Sequence, residues 1–477
     1  MRALDLGREA RNGVAWSAVA LAGGALLSML QISVAARFLD RSEFGLMALI
    51  LVVVGFCQNM GDLGTAGAVL HHQRATKSEL SSLFWMCSAV GAALGLGVAL
   101  SGPLAARLWS EPGLSLWLPV TALVFPLLGA AQLPATLLRR DLRFGALSVL
   151  EVASAGAGVA VVCALAVAGG GVAALVGGQI AAAAVRCALA LRLGGYRPEL
   201  RFSRAELRPF LSFGLYQTGE RLVNYAAWNV DKVLVGWWLG TGALGVYNLA
   251  YQLVIRPFRL FAKLAARVGL PLLACVQEDR ARLHAAYLES VRVAALVAFP
   301  VYVGAWLVAG PLVRLFYGPG WDDVAALFRI LWPLGVVYAI GNPIGALVVA
   351  TGRARVGFLW NVFSMLVHLC ALAIGVRWGV RGVAIALVAV TIGVIFPCGF
   401  WMRWELAGLA PRPFLRQLVR PLAYAASMAL AVALVGRLLP VLPAPLEIAA
   451  LGGCGTLVYG CLLWQREREL LLALRGN

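Results

Sequence analysis

Ionisable side chains recur at helical spacing inside two strongly apolar stretches of the chain. Between residues 211 and 238 stand Gln217, Glu220, Arg221, Asn224, Trp228, Asp231 and Lys232. Between 244 and 272 stand Asn248, Tyr251, Gln252, Arg256, Arg259, Lys263 and Arg267. At about 100° per residue each set falls on one face, and the remaining faces are Leu, Val, Ala and Phe. A charge at membrane depth costs roughly 2.5–3.5 kcal/mol on insertion scales and persists where it faces a protein interior or a watery cavity. Several guanidiniums with too few acids to neutralise them favour an anion, and Arg suits bidentate phosphate binding. The spacing therefore predicts an anion site made by Arg221, Arg256, Arg259 and Lys263. The nearby acids available to balance charge are Glu220, Asp231 and, from an earlier stretch, Asp62. A structural reading stands beside it: Glu220–Arg221 and Asp231–Lys232 pair with other helices, and Lys263 and Arg267 snorkel to the inner surface.

The elements that must position these groups follow from composition. The chain has 477 residues, 61% hydrophobic and 13% charged, with a formal net charge of +18 and a mean hydropathy of +0.84. Ordinary soluble domains are about 45–50% apolar and about 25% charged, so this chain lacks the charge to cover a soluble surface. A soluble enzyme, a disordered chain and a soluble nucleic-acid binder are excluded. At about 20 residues per crossing, fourteen spans are expected: 14–36, 44–70, 82–107, 115–136, 147–168, 172–193, 211–238, 244–272, 288–316, 323–350, 357–376, 380–403, 418–438 and 444–464. The first run is too long for a signal-peptide core of roughly 7–15 residues and reads as a retained span. The nine Cys are scattered through apolar runs, without CxxC or Cys/His clusters. No metal spacing, nucleophile–base arrangement or cofactor fingerprint is present, so no cofactor is expected.

An even count puts both termini on one side. With that side cytoplasmic, 24 of the 40 basic residues fall in inner segments and 7 in outer loops, which favours N-in, C-in by the positive-inside rule. The nine that remain lie inside spans: Arg186, Arg221, Lys232, Arg256, Arg259, Lys263, Arg267, Arg292 and Arg329. Arg186 and Arg292 sit near inner ends and read as topological. In this orientation Arg221 lies about 15 Å, Arg259 about 20 Å and Lys263 about 13 Å from the inner side, at about 1.5 Å per residue. Arg221, Arg259 and Lys263 are expected to converge near the midplane.

A repeat is visible at an offset of 200. Residues 38–49, FLDRSEFGLMAL, align with residues 238–249, WLGTGALGVYNL, matching aromatic-Leu, Gly45 with Gly245, and the closing Leu. Further on, Arg143-Phe144-Gly145 aligns with Arg355-Val356-Gly357, and Gly171-Val172-Ala173 with Gly382-Val383-Ala384. Six-span repeats keep one orientation, giving parallel halves about an axis normal to the membrane. The expected fold is all-α: a polytopic integral membrane protein of about 14 helices arranged 6+6+2, with pseudo-symmetric halves around a central cavity. The expected divisions are 1–200, 201–410 and a two-helix extension, 411–477. This is a transporter's layout.

Several motifs carry a resemblance. Ala36-Arg37-Phe38-Leu39-Asp40, then Phe44-Gly45 and Asp62-Leu63-Gly64, resembles the opening of the Wzx-type polysaccharide flippases of the multidrug/oligosaccharidyl-lipid/polysaccharide exporter superfamily. Asp231-Lys232, Leu234 and Gly236, followed by Leu244-Gly245, Tyr247 and Leu249-Ala250-Tyr251, resembles the start of that family's second half. Gly318-Pro319-Gly320-Trp321 and Thr351-Gly352-Arg353 are similar to its later markers. Position 41 departs, being Arg where the family commonly has Pro.

The resemblance implies translocation of undecaprenyl-diphosphate-linked oligosaccharide across the bacterial inner membrane, for O-antigen, capsule or exopolysaccharide synthesis, by alternating access. Arg221, Arg256, Arg259 and Lys263 would then hold the diphosphate. Glu220, Asn224, Asp231, Lys232 and Asp62 would serve charge balance, sugar contact or ion coupling. The implied partners are the lipid-linked oligosaccharide, membrane lipids, and a polysaccharide polymerase with its chain-length machinery; nucleic acid is not among them, and a monomer is expected. Peptidoglycan-precursor (lipid II) flipping is the nearest alternative. A cation-coupled drug extruder fits less well, since a basic lumen repels cations. A membrane glycan polymerase or ligase would need a large outer loop.

Overall fold

A computed structural model describes residues 22–61, 69, 75–196, 198–275, 279–351, 353–440 and 442–467. Among them there are helices and no strand, as a chain surrounded by lipid requires when each backbone N–H and C=O must be satisfied within its own segment. The chain is an all-α polytopic membrane protein. Eleven helical stretches among the described residues are long and apolar enough to cross a membrane. Two of them, Arg221–Ala262 and Arg355–Ala407, reach 42 and 53 residues, about twice the ~20 that one crossing takes. Each is interrupted by a glycine outside helical geometry, Gly240 (φ 79°) and Gly379 (φ 68°). Contacts divide the chain into two compact units, Met1–Gly245 and Val246–Asn477.

The first unit holds α1 (Ala22–Phe38), α2 (Arg41–Gly61), α3 (Lys77–Leu108), α4 (Gly113–Ala122), α5 (Val124–Arg140), α6 (Phe144–Val167) and α7 (Val172–Gly194). It also holds α8 (204–239), the part of the Arg204–Cys275 run that precedes the Gly240 break. A reciprocal cap starts α2. The Glu43 N–H donates to Asp40 Oδ1 at 2.9 Å, and the Asp40 N–H donates to Glu43 Oε2 at 2.9 Å. This accounts physically for the Asp40/Glu43 spacing. Partial burial alone would push the Asp40 carboxyl up, but donation from the Glu43 N–H and from Ser42 holds it below the ordinary value. Its stabilisation is therefore present above the ordinary carboxylate pKa and fades as the pH falls through the lowered one. Asp40→Ala is expected to cost about 0.5–2 kcal/mol and to flatten the acid limb of a pH–melting profile in that range.

Close helix crossings in this unit rest on glycine. A Cβ on Gly91 would stand 2.6 Å from the Phe125 carbonyl oxygen, and one on Gly129 2.6 Å from that of Cys87, which brings α3 against α5. Gly158 and Gly178 join α6 to α7 in the same way. α8 leans on α2: the Tyr225 hydroxyl donates to the Leu51 and Val52 carbonyls at 3.1 and 3.2 Å and occupies the space above Gly55.

The second unit holds most of α9 (241–275), α10 (Arg280–Leu307), α11 (Ala309–Tyr317), α12 (Asp322–Gly341), α13 (Pro343–Ala350) and α14 (Ala354–Gly375). α15 (Gly379–Val390), a π-helical turn (Thr391–Ile395), α16 (Phe396–Ala407), α17 (Pro411–Leu438) and α18 (Ala444–Arg466) follow. Arg292 on α10 bonds to the buried Glu467 beyond α18, which also accepts from Tyr424 on α17. That pairing gives the intraspan Arg292 a structural role, tying the last two helices to their unit.

Arg403 on α16 is 4% exposed, donates to the Tyr287 hydroxyl at 3.0 Å, and lies 5.9, 5.0 and 4.6 Å from the ring centres of Phe396, Phe400 and Phe414. A desolvated cation held by π faces gains about 2 kcal/mol or more, and a charged hydrogen bond about 1.5–3. Arg403→Ala should therefore lower stability by about 2–4 kcal/mol, seen as an earlier thermal unfolding of the detergent-solubilised protein. Arg403→Lys should recover only part of it, lacking the flat guanidinium.

Repeat-related positions use the same device in each unit. The Arg143 guanidinium caps the last turn of α7 by donating to the Leu193 carbonyl at 2.8 Å, and Arg353 caps the last turn of α16 through the Glu405 carbonyl at 2.7 Å. Both residues immediately precede a helix start.

Candidate substrate-binding site

The polar faces expected from the sequence belong to separate units, α8 to the first and the Gln252–Arg259 part of α9 to the second. On α8, Arg221 and Asn224 are half-buried, and Trp228 is 44% exposed. Farther along, Asp231 and Lys232 are buried, and the Lys232 ammonium donates to Asn229 Oδ1 at 2.7 Å. Asn229 in turn donates to the Tyr225 carbonyl at 2.8 Å, so the Lys232 ammonium is bonded within its own helix. Glu220 lies on the described backbone of α8, and its side chain is outside the described set; Asp62 is outside the described residues.

On α9 the packed and polar sides are distinct. Tyr247, Ala250 and Val254 are fully buried. Two tyrosines anchor this helix: Tyr302 of α10 donates to the Val254 carbonyl at 2.7 Å, and Tyr317 of α11 to that of Leu249 at 3.5 Å. Both are covered by their surroundings; Gly335 leaves room for the Tyr302 ring, which any Cβ there would strike. Gln252, Arg256 and Arg259 follow at i, i+4 and i+7 on one face. Arg256 is half-buried and feels both Tyr317 and Arg259, while Arg259 is exposed. Two guanidiniums thus stand one turn apart on a helix that Tyr302 and Tyr317 hold from its packed side. Lys263 continues the row on the backbone of α9, and its side chain is outside the described set.

A second feature has no counterpart in the charge pattern. Within the first unit, α2, α3, α5, α6 and α7 line an open cleft of about 440 Å³. Gln58, Gln132, Ser154, Gln179 and Arg186 line it together with apolar groups such as Phe125. Arg186, which reads as topological from its place near a helix end, is part of this lining. Counting charges alone missed the cleft because three of its polar groups are neutral amides. The available signal was spacing: Gln179 and Arg186 are seven residues apart on one face of α7. Among the described residues no group of His, Cys, Asp and Glu is arranged to hold a metal ion.

Comparison with known proteins gives consistent likenesses. Residues 34–326 match the family model described as "Polysaccharide biosynthesis protein". The chain is 28% identical to the lipopolysaccharide biosynthesis protein WzxC of Escherichia coli K12 over 376 residues, 78% of this chain and 76% of that protein. It is 25% identical to the succinoglycan biosynthesis transport protein ExoT of Rhizobium meliloti 1021, covering 97% and 94% of the two chains. Among solved structures, the lipid II flippase MurJ in an inward closed conformation aligns with a TM-score of 0.77 at 15% identity, over 96% of this chain and 100% of that one. An inward-facing multidrug resistance MATE transporter aligns at 0.62 and 16% identity, over 80% and 94%.

Proposed function

Because the chain belongs to the polysaccharide biosynthesis protein family, we propose that it is a flippase that moves undecaprenyl-diphosphate-linked oligosaccharide from the inner to the outer leaflet of the bacterial inner membrane. It is a transporter rather than an enzyme, acting by alternating access. The observation that carries the reading is the Arg256–Arg259 face of α9: cationic, braced by Tyr302 and Tyr317, and placed in an apolar chain where only an anionic group repays its cost. A lipid diphosphate supplies that charge while its tail remains in lipid. Arg221 and Lys263 join Arg256 and Arg259 in holding it. Glu220, Asn224, Asp231, Lys232 and Asp62 serve charge balance, sugar contact or ion coupling; for Asp231 and Lys232, burial favours charge balance.

The 42- and 53-residue helical stretches, each divided by a glycine, support fourteen crossings in a 6+6+2 plan with both termini cytoplasmic. On this reading the repeat divides the chain into 1–200, 201–410 and 411–477. The protein works as a monomer alongside a polysaccharide polymerase and its chain-length machinery.

The likeness to MurJ favours a second reading, lipid II as the cargo. Proteoliposomes carrying the purified protein distinguish the two. With leaflet accessibility as the readout, an undecaprenyl-diphosphate-linked polysaccharide repeat unit should be exchanged between leaflets and lipid II should not. Exchange of lipid II alone would establish the second reading, and exchange of neither would remove both.

A further inference from the structure

The cleft of the first unit is polar where a membrane protein has most reason to be apolar. Arg186 stands eight residues before the end of α7 at Gly194, and Gln132 eight before the end of α5 at Arg140. Both stand about 12 Å along the helix from those ends, inside helices of the length that crosses a core about 30 Å thick. Ser154, ten residues after the start of α6 at Phe144, stands about 15 Å along its helix. An amide or hydroxyl moved from water without a new hydrogen bond costs about 1–3 kcal/mol on protein scales. The Ser154 hydroxyl already donates to the Glu151 carbonyl at 3.1 Å, whereas Gln58, Gln179 and Arg186 present polar groups to the cleft that a ligand or water can bond.

The volume, about 440 Å³, falls within the roughly 300–1,000 Å³ of small-ligand pockets. The lining mixes functions in a telling way. Gln58 and Gln179 each offer both donor and acceptor, which is what vicinal hydroxyls require. Phe125 and neighbouring leucines supply a flat apolar wall for the C–H face of a sugar ring. Arg186 adds one positive charge; among the described residues it makes no ion pair, and its charged neighbours are Arg139 and Glu151. One guanidinium among such amides matches a hydroxyl-rich ligand with a single carboxylate better than a diphosphate, which needs several cations.

We propose that this cleft seats part of the glycan headgroup, and that Arg186 selects an acidic sugar there by pairing with its carboxylate. The proposal rests on the flippase reading for its physiological ligand, but the binding itself needs neither lipid nor diphosphate. It makes the first unit the glycan-reading part of the protein, separate from the Arg256–Arg259 face.

Saturation-transfer NMR titrations of the purified full-length protein test it, using two water-soluble probes that differ by one group, cellobiouronic acid and cellobiose. The acidic disaccharide should bind the wild-type protein at least about tenfold more tightly, as expected for one charge-assisted pair. Arg186→Gln should erase that preference and leave cellobiose binding in place, while Gln179→Leu should weaken both sugars. Equal binding of the two sugars by the wild-type protein, or binding of neither at millimolar concentration, overturns the proposal without reference to any variant's folding. A preference that survives Arg186→Gln overturns it as well. Transport that fails while the sugar preference holds would count against the flippase reading and leave the glycan cleft standing.

Discussion

Gly45→Val is expected to abolish accumulation of folded protein, and Gly245→Val to do the same. A Cβ at Gly45 would overlap the Thr241 carbonyl, and one at Gly245 would overlap the Arg41 carbonyl while standing 3.1 Å from the Gly45 nitrogen. In both cases the obstacle is backbone, which no rotamer change relieves. Overpacking a core costs about 1–3 kcal/mol where side chains can yield, and more is expected where two helix backbones must separate. Even Gly45→Ala should lower the melting temperature sharply. Gly97→Ala and Gly156→Ala make the control: nothing lies within 4 Å of a Cβ at either position, and each should be neutral or slightly stabilising, since Ala is the better helix former. Size-exclusion yield and thermal unfolding in detergent measure all of these. The two glycines are also the aligned pair of the internal repeat, so the motif records a close approach between the starts of α2 and α9.

The second large effect concerns binding. Undecaprenyl diphosphate should bind the purified protein, and the double substitution Arg256→Gln/Arg259→Gln should weaken it by about 100-fold or more. Each guanidinium–phosphate contact is worth about 1.5–3 kcal/mol, or roughly ten- to a hundredfold in affinity apiece. Stability should change little, because Tyr302 and Tyr317 hold α9 through backbone carbonyls on residues other than the two arginines. A lipid without the diphosphate should bind both proteins equally weakly.

The elements were legible because lipid imposes a simple code. The apolar membrane helices among the described residues, and the glycine at each repeat start, can be read from periodicity and composition. What could not be read is long-range pairing. Arg292 and Arg403 look alike in the sequence as basic residues near helix ends, yet one is paired with Glu467, 175 residues away, and the other is enclosed by three phenylalanines. The cleft stayed hidden for a different reason. Neutral amides on three helices carry no charge signal, and only the packing of α3 on α5 and of α6 on α7 brings them to one space. Compactness also follows contacts rather than the repeat: α8 stays with α2 through Tyr225 and Gly55, and the first unit runs on to Gly245.

The central claim is that cations on α9 carry a lipid diphosphate across the membrane. It is tested most directly by the rate at which a fluorescent undecaprenyl-diphosphate-linked oligosaccharide changes leaflet in proteoliposomes. Wild-type protein should accelerate the exchange well above protein-free vesicles, and the Arg256→Gln/Arg259→Gln protein, reconstituted to the same density and with an unchanged melting temperature, should lose at least nine-tenths of that acceleration. An equal rate for the two proteins would contradict the assignment of the site.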